Sequence, residues 1–243
     1  VLPNYFDEPV AARYDDSDDG QFDPEVVERT VDVLAELADG RPALELAIGT
    51  GRVGLPLSRR GVAVSGIELS EAMLARLRAK PGGADIPVAV GDMAEVRVPG
   101  EFGLVYLVFN TIGNLTTQDA QVRCFENAAA HLAPGGLFLV EVGVPSLQRL
   151  PVGERFVVFE HTDDHVGIDE YDVVTQWMAS HHYLREGDER YQRSSGPFRY
   201  VWPSELDLMA RIAGMVPLHR WADWDRSEFT AASTSHVSIW QKV

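Results

Sequence analysis

Apolar runs alternate with stretches of helical periodicity along the first part of this chain. Asp23-Pro24 opens a helix: aspartate caps free N–H groups and proline suits the first helical position. Val27, Val31, Leu34 and Ala38 then recur on one face, and Gly40 ends the run. A first strand follows at about Ala43–Ile48, with its helix starting near Arg52 and Pro56 in the first turn. The second strand is Val62–Ile67, stopping at Glu68, and Ser70 caps the next helix. A third strand at Ile86–Val90 ends in Gly91-Asp92-Met93. A fourth at Gly103–Phe109 ends in Asn110-Thr-Ile-Gly-Asn114. A helix from about Gln118 to Leu132 and a Pro134-Gly135-Gly136 turn lead to a fifth strand at Leu137–Val142. Strands that are near-continuous apolar runs between helices predict a parallel sheet covered on both faces.

The pattern changes after Pro145. From about Arg155 to Val201 the segments are partly alternating, with turn signals at Asp163-Asp164 and Glu186-Gly187-Asp188, which predicts an antiparallel meander inserted as a cap. Ser204 starts a last helix to about Ala213, stopped by Gly214, and Val216–Ala222 and Val237–Lys242 close the fold. The expected class is α/β: a doubly wound, mostly parallel, seven-stranded Rossmann-like sheet with an antiparallel β-rich cap insertion. Residues 1–147 would form an N-terminal helical segment and the core, 148–201 the cap, and 202–243 the final helix and closing strands.

Composition narrows the partners. A chain of 243 residues can bury a substantial core, and no apolar run approaches the ~20 residues of a membrane span. The opening Val1–Glu8 stretch lacks the basic start and apolar core of a signal peptide. Cys124 is the only cysteine, which excludes an internal disulfide and suits a reducing cytoplasm. A net charge of -16 makes nucleic acid a poor partner and would favour a cationic substrate such as an amine. The same charge also reads as a solubility device.

The chemistry concentrates in Ala43-Leu-Glu-Leu-Ala-Ile-Gly-Thr-Gly-Arg-Val-Gly54. Free N–H groups at the helix start attract an anionic ligand group, and glycine lets a ligand lie against bare backbone. Gly49, Gly51 and Gly54 fit the dinucleotide fingerprint, and Glu68 falls where a carboxylate would take a ribose diol. Glu45 lies inside the first strand, an expensive place for a charge without a role. Asp92 and Met93 end the third strand where an adenine would be read.

In that order and spacing these residues resemble the class I S-adenosylmethionine (SAM)-dependent methyltransferases. Tyr14-Asp15 and Arg199-Tyr-Val-Trp-Pro-Ser-Glu-Leu look like the small-molecule methyltransferases of bacterial natural-product pathways, the amino-sugar N-methyltransferases nearest among them. The resemblance implies SAM as cofactor and a small-molecule acceptor. It implies that Glu45 orients the methionyl amino end, and that Ala47, Gly49 and Gly51 lie against the methionine and ribose. Ala47 stands where the family often has glycine. Glu68 would accept both ribose hydroxyls, with Leu69 beside it. Asp92 would accept the adenine amino hydrogen, and the Met93 backbone would approach the ring. Phe109 and Asn110 would border the methyl group, and Tyr14 would close over the methionyl end. Phe109 reads equally as core, and Glu141 reads as structural.

Methyl transfer from a sulfonium is a direct displacement, so positioning is the main contribution. An amine could lose its proton to water, whereas a hydroxyl or carbon acid would need a placed base. Candidate bases in the cap are His161, His165, His181, His182 and Tyr171. His181 and His182 are adjacent on a predicted strand and point to opposite faces, so at most one would face the site. His161-Thr-Asp-Asp-His165 reads as a charged hairpin tip, and no metal is expected. One or two of Trp177, Trp202, Trp221, Trp224 and Tyr183 could wall the acceptor pocket. The main expectation is N-methylation of a small amine. O- or C-methylation of a phenol or polyketide-like acceptor, an NAD-linked oxidoreductase and a non-catalytic SAM-binding protein stand as alternatives. The cap could equally serve a homo-oligomer interface.

Overall fold

The computed structural model describes residues 6–16, 20–187 and 190–243. Its first helix, α1 (Glu8–Arg13), was not foreseen from the pattern; Asp7 caps it by accepting the Val10 N–H. Helix α2 (Pro24–Ala38) starts as its sequence dictates, with the Asp23 carboxylate accepting the Glu25 N–H at 2.8 Å. Asp39 closes it in the left-handed conformation, at φ 49°.

Strand β1 (Ala43–Leu46) is buried at all four positions and leads to the short helix α3 (Gly54–Arg59). Then follow β2 (Val64–Glu68), α4 (Glu71–Ala79), β3 (Val88–Val90), β4 (Phe102–Leu107), α5 (Gln118–His131) and β5 (Leu132–Gly143). Strand bounds differ from the apolar runs by a few residues: β1 and β4 stop two residues early, and β2 and β3 start two residues late. One boundary differs in kind. Pro134-Gly135-Gly136 lies within β5 as a bulge, where pairing jumps from Phe102–Leu132 to Leu104–Leu137 and Gly135 takes φ 73°.

The cap is a four-stranded antiparallel meander: β6 (Phe156–His161), β7 (His165–Tyr171), β8 (Trp177–Arg185) and β9 (Tyr191–Arg199). Asp163-Asp164 lies in its first turn; of the Glu186–Asp188 signal, Asp188 lies outside the described residues. An additional turn is organised by Asp172, whose carboxylate accepts from the Val174 N–H and the Thr175 hydroxyl. The chain returns through α6 (Pro203–Ile212) to β10 (Met215–Trp221) and β11 (Ser235–Lys242).

The large sheet has seven strands in the order β10-β11-β5-β4-β1-β2-β3. β1 to β5 are parallel, and β11 enters antiparallel between β5 and β10. The expected α/β architecture with its antiparallel cap is therefore present. Alternate residues of the central strands feed two cores. Leu44, Leu46, Val105 and Leu107 pack with Phe125 of α5 and Leu206 of α6. Ala43, Leu104 and Tyr106 pack with Leu34 of α2 and Leu57 of α3 on the other face. Strand order reverses between β1 and β4, so the loops after these two strands diverge and leave a crevice at their carboxyl ends. Among the described residues no helix is long and apolar enough to cross a membrane.

Candidate active site

The loop after β1 is shaped by what lies behind it as much as by what faces the crevice. Gly49 takes φ 59° and faces the cavity. Gly51, at φ 79°, instead packs against the protein: a Cβ there would lie 2.4 Å from Leu77 Cδ1. Gly54 makes room for Glu45, because a Cβ on it would come within 2.5 Å of Glu45 Oε2. Glu45 is 3 % exposed and accepts a hydrogen bond from the Tyr106 hydroxyl at 3.0 Å. Burial pushes its carboxyl up to about 8. Glu45 thus sits beneath the loop and does not itself line the cavity.

Glu68 ends β2 and holds the mouth together. Oε2 accepts the Gly49 N–H at 2.8 Å and Oε1 the Ser70 N–H at 2.7 Å. Burial raises its carboxyl above the usual range, opposed by those donors. The Leu69 backbone N–H is a further donor to the same carboxylate, which also lines the cavity. Asp92, after β3, accepts the Ala94 N–H at 2.8 Å through Oδ1. Asn127 of α5 fixes the same loop, donating to the Met93 carbonyl at 2.7 Å and the Val96 carbonyl at 2.9 Å.

The N-terminal segment lies across this mouth. Asp15 accepts from the Thr50 hydroxyl at 2.6 Å and pairs with Lys80 at 2.7 Å. The Ser70 hydroxyl donates to the Phe6 carbonyl. These ties bring Tyr14 into edge-to-face contact with Phe22 and Phe109, at 5.4 and 6.4 Å between ring centres. Burial raises the Tyr14 phenol to about 12, which keeps it a hydrogen-bond donor. The Arg52 guanidinium lies over Phe109 at 4.8 Å and donates to the Gln21 carbonyl at 2.6 Å.

These parts enclose a cavity of about 400 Å³, within the ~300–1,000 Å³ usual for small-molecule sites. One end is lined by Tyr14, Ala47, Gly49, Glu68, Asp92 and Met93, with Leu69, 47 % exposed, on its wall. The other end is lined by Thr111, Asn114, Leu115 and Thr116 after β4, and by Trp177, Pro197 and Phe198 of the cap.

A family described as "Methyltransferase domain" matches residues 43–136. The CcbJ methyltransferase from Streptomyces caelestis has the same fold at a TM-score of 0.86, with 34% identity over 98% of each chain. This chain belongs to the SAM-dependent methyltransferases. Two further relatives are similar over less of their length. The cypemycin N-terminal methyltransferase of a Streptomyces species is 26% identical, covering 73% of each chain. A dTDP-3-amino-3,4,6-trideoxy-alpha-D-glucopyranose N,N-dimethyltransferase of Streptomyces venezuelae is 33% identical, covering 45% of each.

The methyltransferase's cavity fits this cofactor on its own geometry. Glu68 and Asp92 bring two carboxylates to the lining, Asp92 with only its Oδ1 held by the Ala94 N–H, and Leu69 supplies an apolar face. Ala47, at φ 54°, carries a strained backbone at the same wall. A left-handed residue with a Cβ costs roughly 1–2 kcal/mol, part of which glycine gives back as unfolded-state entropy. Ala47→Gly is therefore expected to raise stability by about 0.5–1 kcal/mol, read as a higher urea midpoint at unchanged slope.

Other sequence candidates of the methyltransferase lie apart from the lining. Phe109 and Asn110, at φ 62° and 56°, form the turn after β4. The Phe109 N–H donates to Glu141 at 2.9 Å, and Asn110 Oδ1 is engaged by the Gly143 N–H. Glu141 also accepts from the Trp224 indole at 3.1 Å, a bracing role. His181 contacts Ser195 at 2.8 Å and Glu170 at 3.4 Å. His182 stacks on His165, with ring nitrogens 3.0 Å apart. Burial and the neighbouring His165 hold His182 below its usual value. Neither histidine lines the cavity. Of the aromatic candidates, Trp177 does; Trp202 packs with Tyr200, while Trp221 and Trp224 join the core on the α2 side. Arg52, Asn127, Tyr106 and Phe198 were not singled out by sequence reasoning. Only Arg52, next to the second glycine of the loop, carried a signal in its position.

Proposed function

We propose that this methyltransferase transfers the methyl group of SAM to the nitrogen of a small-molecule amine. The reading rests chiefly on one observation: among the described residues, the ionisable groups lining the cavity are Tyr14, Glu68 and Asp92, and no histidine joins them. An amine needs no base from the protein, since its proton can leave to water, while a hydroxyl or carbon acid would need one. The names of two relatives support it, one an amino-sugar N,N-dimethyltransferase and the other a methyltransferase of a chain's N-terminus, where an amine stands.

In this reading Glu68 accepts the two ribose hydroxyls and Asp92 the adenine amino group, with Leu69 and Met93 against the ring. Gly49 and Ala47 border the methionyl chain, and Tyr14 donates at its end. Glu45 acts from below by shaping the loop with Tyr106. SAM supplies a methyl group already activated on a sulfonium. The protein's part is alignment, which supplies up to about 7–11 kcal/mol when two reactants are held in line. His181, His182 and Asn110 take no part in the chemistry. Residues 148–201 act as the cap that selects the acceptor, through Trp177, Pro197 and Phe198. The single, buried Cys124 fits a cytoplasmic setting.

Calorimetric titration tests the cofactor half: SAM and its demethylated product should both bind with affinity on the order of micromolar, and NAD should give no heat. Binding of NAD with no response to SAM would reject the reading. Mass spectrometry of the product should then find the added methyl on nitrogen.

A further inference from the structure

Resting on the methyl-transfer reading above, we propose that the acceptor is an amine without a phosphate group, met by the enzyme as an ammonium ion against the aromatic wall of the cap. The charges around the cavity carry this. Its lining holds two carboxylates, Glu68 and Asp92, and no lysine, arginine or histidine among the described residues. The undescribed residues 1–5, 17–19 and 188–189 contain no basic side chain either.

Three cations close to the cavity are already committed. Lys80 is paired with Asp15 and donates to the Thr50 carbonyl. Arg52 is held by the Gln21 carbonyl and two phenyl faces. Arg199 is 3 % exposed and bound to Gln121, Gln176 and Glu205. Phosphate recognition uses arginine or lysine, or a helix N-terminus. The start of α5, next to Thr116, is already met by the Thr117 hydroxyl and by Asp119 in its first turn. A diphosphate would therefore enter a negative cavity with no counter-charge.

An ammonium ion meets the opposite conditions. The acceptor end offers the rings of Trp177 and Phe198 and the neutral polar groups of Thr111, Asn114 and Thr116. Aromatic faces attract cations, and the net charge of -16 draws them toward the protein. The acceptor class thereby separates from that of the Streptomyces venezuelae relative, whose dTDP-sugar carries a diphosphate.

The test uses the whole chain saturated with S-adenosylhomocysteine, which leaves the methyl position open and adds no sulfonium. Benzylammonium, benzyl phosphate and dTDP are titrated in turn by calorimetry. Benzylammonium should bind roughly tenfold or more tighter than benzyl phosphate, and dTDP should give no heat. Trp177→Ala should weaken benzylammonium by about fivefold and leave S-adenosylhomocysteine affinity unchanged. Binding of dTDP or benzyl phosphate as tight as benzylammonium, or no binding of benzylammonium, overturns the proposal. Failure of S-adenosylhomocysteine itself to bind overturns the methyl-transfer reading beneath it.

Discussion

Glu68→Ala is expected to weaken SAM binding at least a hundredfold and to lower stability at the same time. The affinity loss follows from the proposed role of this cavity-lining carboxylate, which would accept both ribose hydroxyls. Hydrogen bonds to a charged group contribute roughly 1.5–3 kcal/mol each, so two of them correspond to about 3 kcal/mol or more, a factor of ~100. The stability loss has a separate origin. Glu68 is 6 % exposed and accepts the Gly49 and Ser70 N–H groups, which would lose their partner. A buried donor left unpaired costs about 1–3 kcal/mol. Calorimetry with SAM and urea denaturation of the same variant separate the two effects. Reduced stability with native affinity would leave Glu68 as a strut alone and remove it from the proposed cofactor site.

That double duty explains what the sequence could and could not convey. Spacing from Gly51 was enough to mark Glu68, because the span from the first turn to the second strand end is set by one helix. Nothing in the spacing says that the side chain folds back onto the Gly49 backbone. Gly54 is a similar case. It completes a dinucleotide fingerprint, yet the absence of a Cβ makes room for Glu45, whose Oε2 would lie 2.5 Å from one, and not for a ligand. Tyr106, which donates to Glu45, is hidden in an apolar run where a hydroxyl changes no periodicity.

The strands of the core and cap were legible because each buries whole runs or alternate residues. Which cap residues reach the cavity was not, since that depends on how the meander docks. Docking puts Trp177 and Phe198 at the crevice and leaves His181 with Glu170 and Ser195. The Asp15–Lys80 and Asp15–Thr50 contacts join residues far apart in the chain, so no local pattern announces them.

The same long-range logic makes Arg199 the expected weak point of the fold. It ends β9, is almost wholly buried, and binds Gln121 of α5, Gln176 of the cap turn and Glu205 of α6 at once. Gln121 in turn donates to the Ile112 and Arg199 carbonyls, so the network joins cap, core and the wall of the cavity. Removing one member of a buried ion pair leaves the other uncompensated, at a cost of about 3–5 kcal/mol. Arg199→Met is therefore expected to lose that much stability, while Arg199→Met combined with Glu205→Gln should lose measurably less. The pair also sets an acid limit. Burial would raise the Glu205 carboxyl, but the Gln176, Arg199 and Gln118 hydrogen bonds outweigh it and hold the group below its usual range. A carboxyl depressed on folding contributes stability above its unfolded value and loses it as pH falls through the folded one. Urea midpoints of the native protein should therefore drop below about pH 4, with Glu205→Gln shallower over the same window. Additive losses in the double variant, or identical acid slopes with and without Glu205, would show that the pair does not couple the cap to the core.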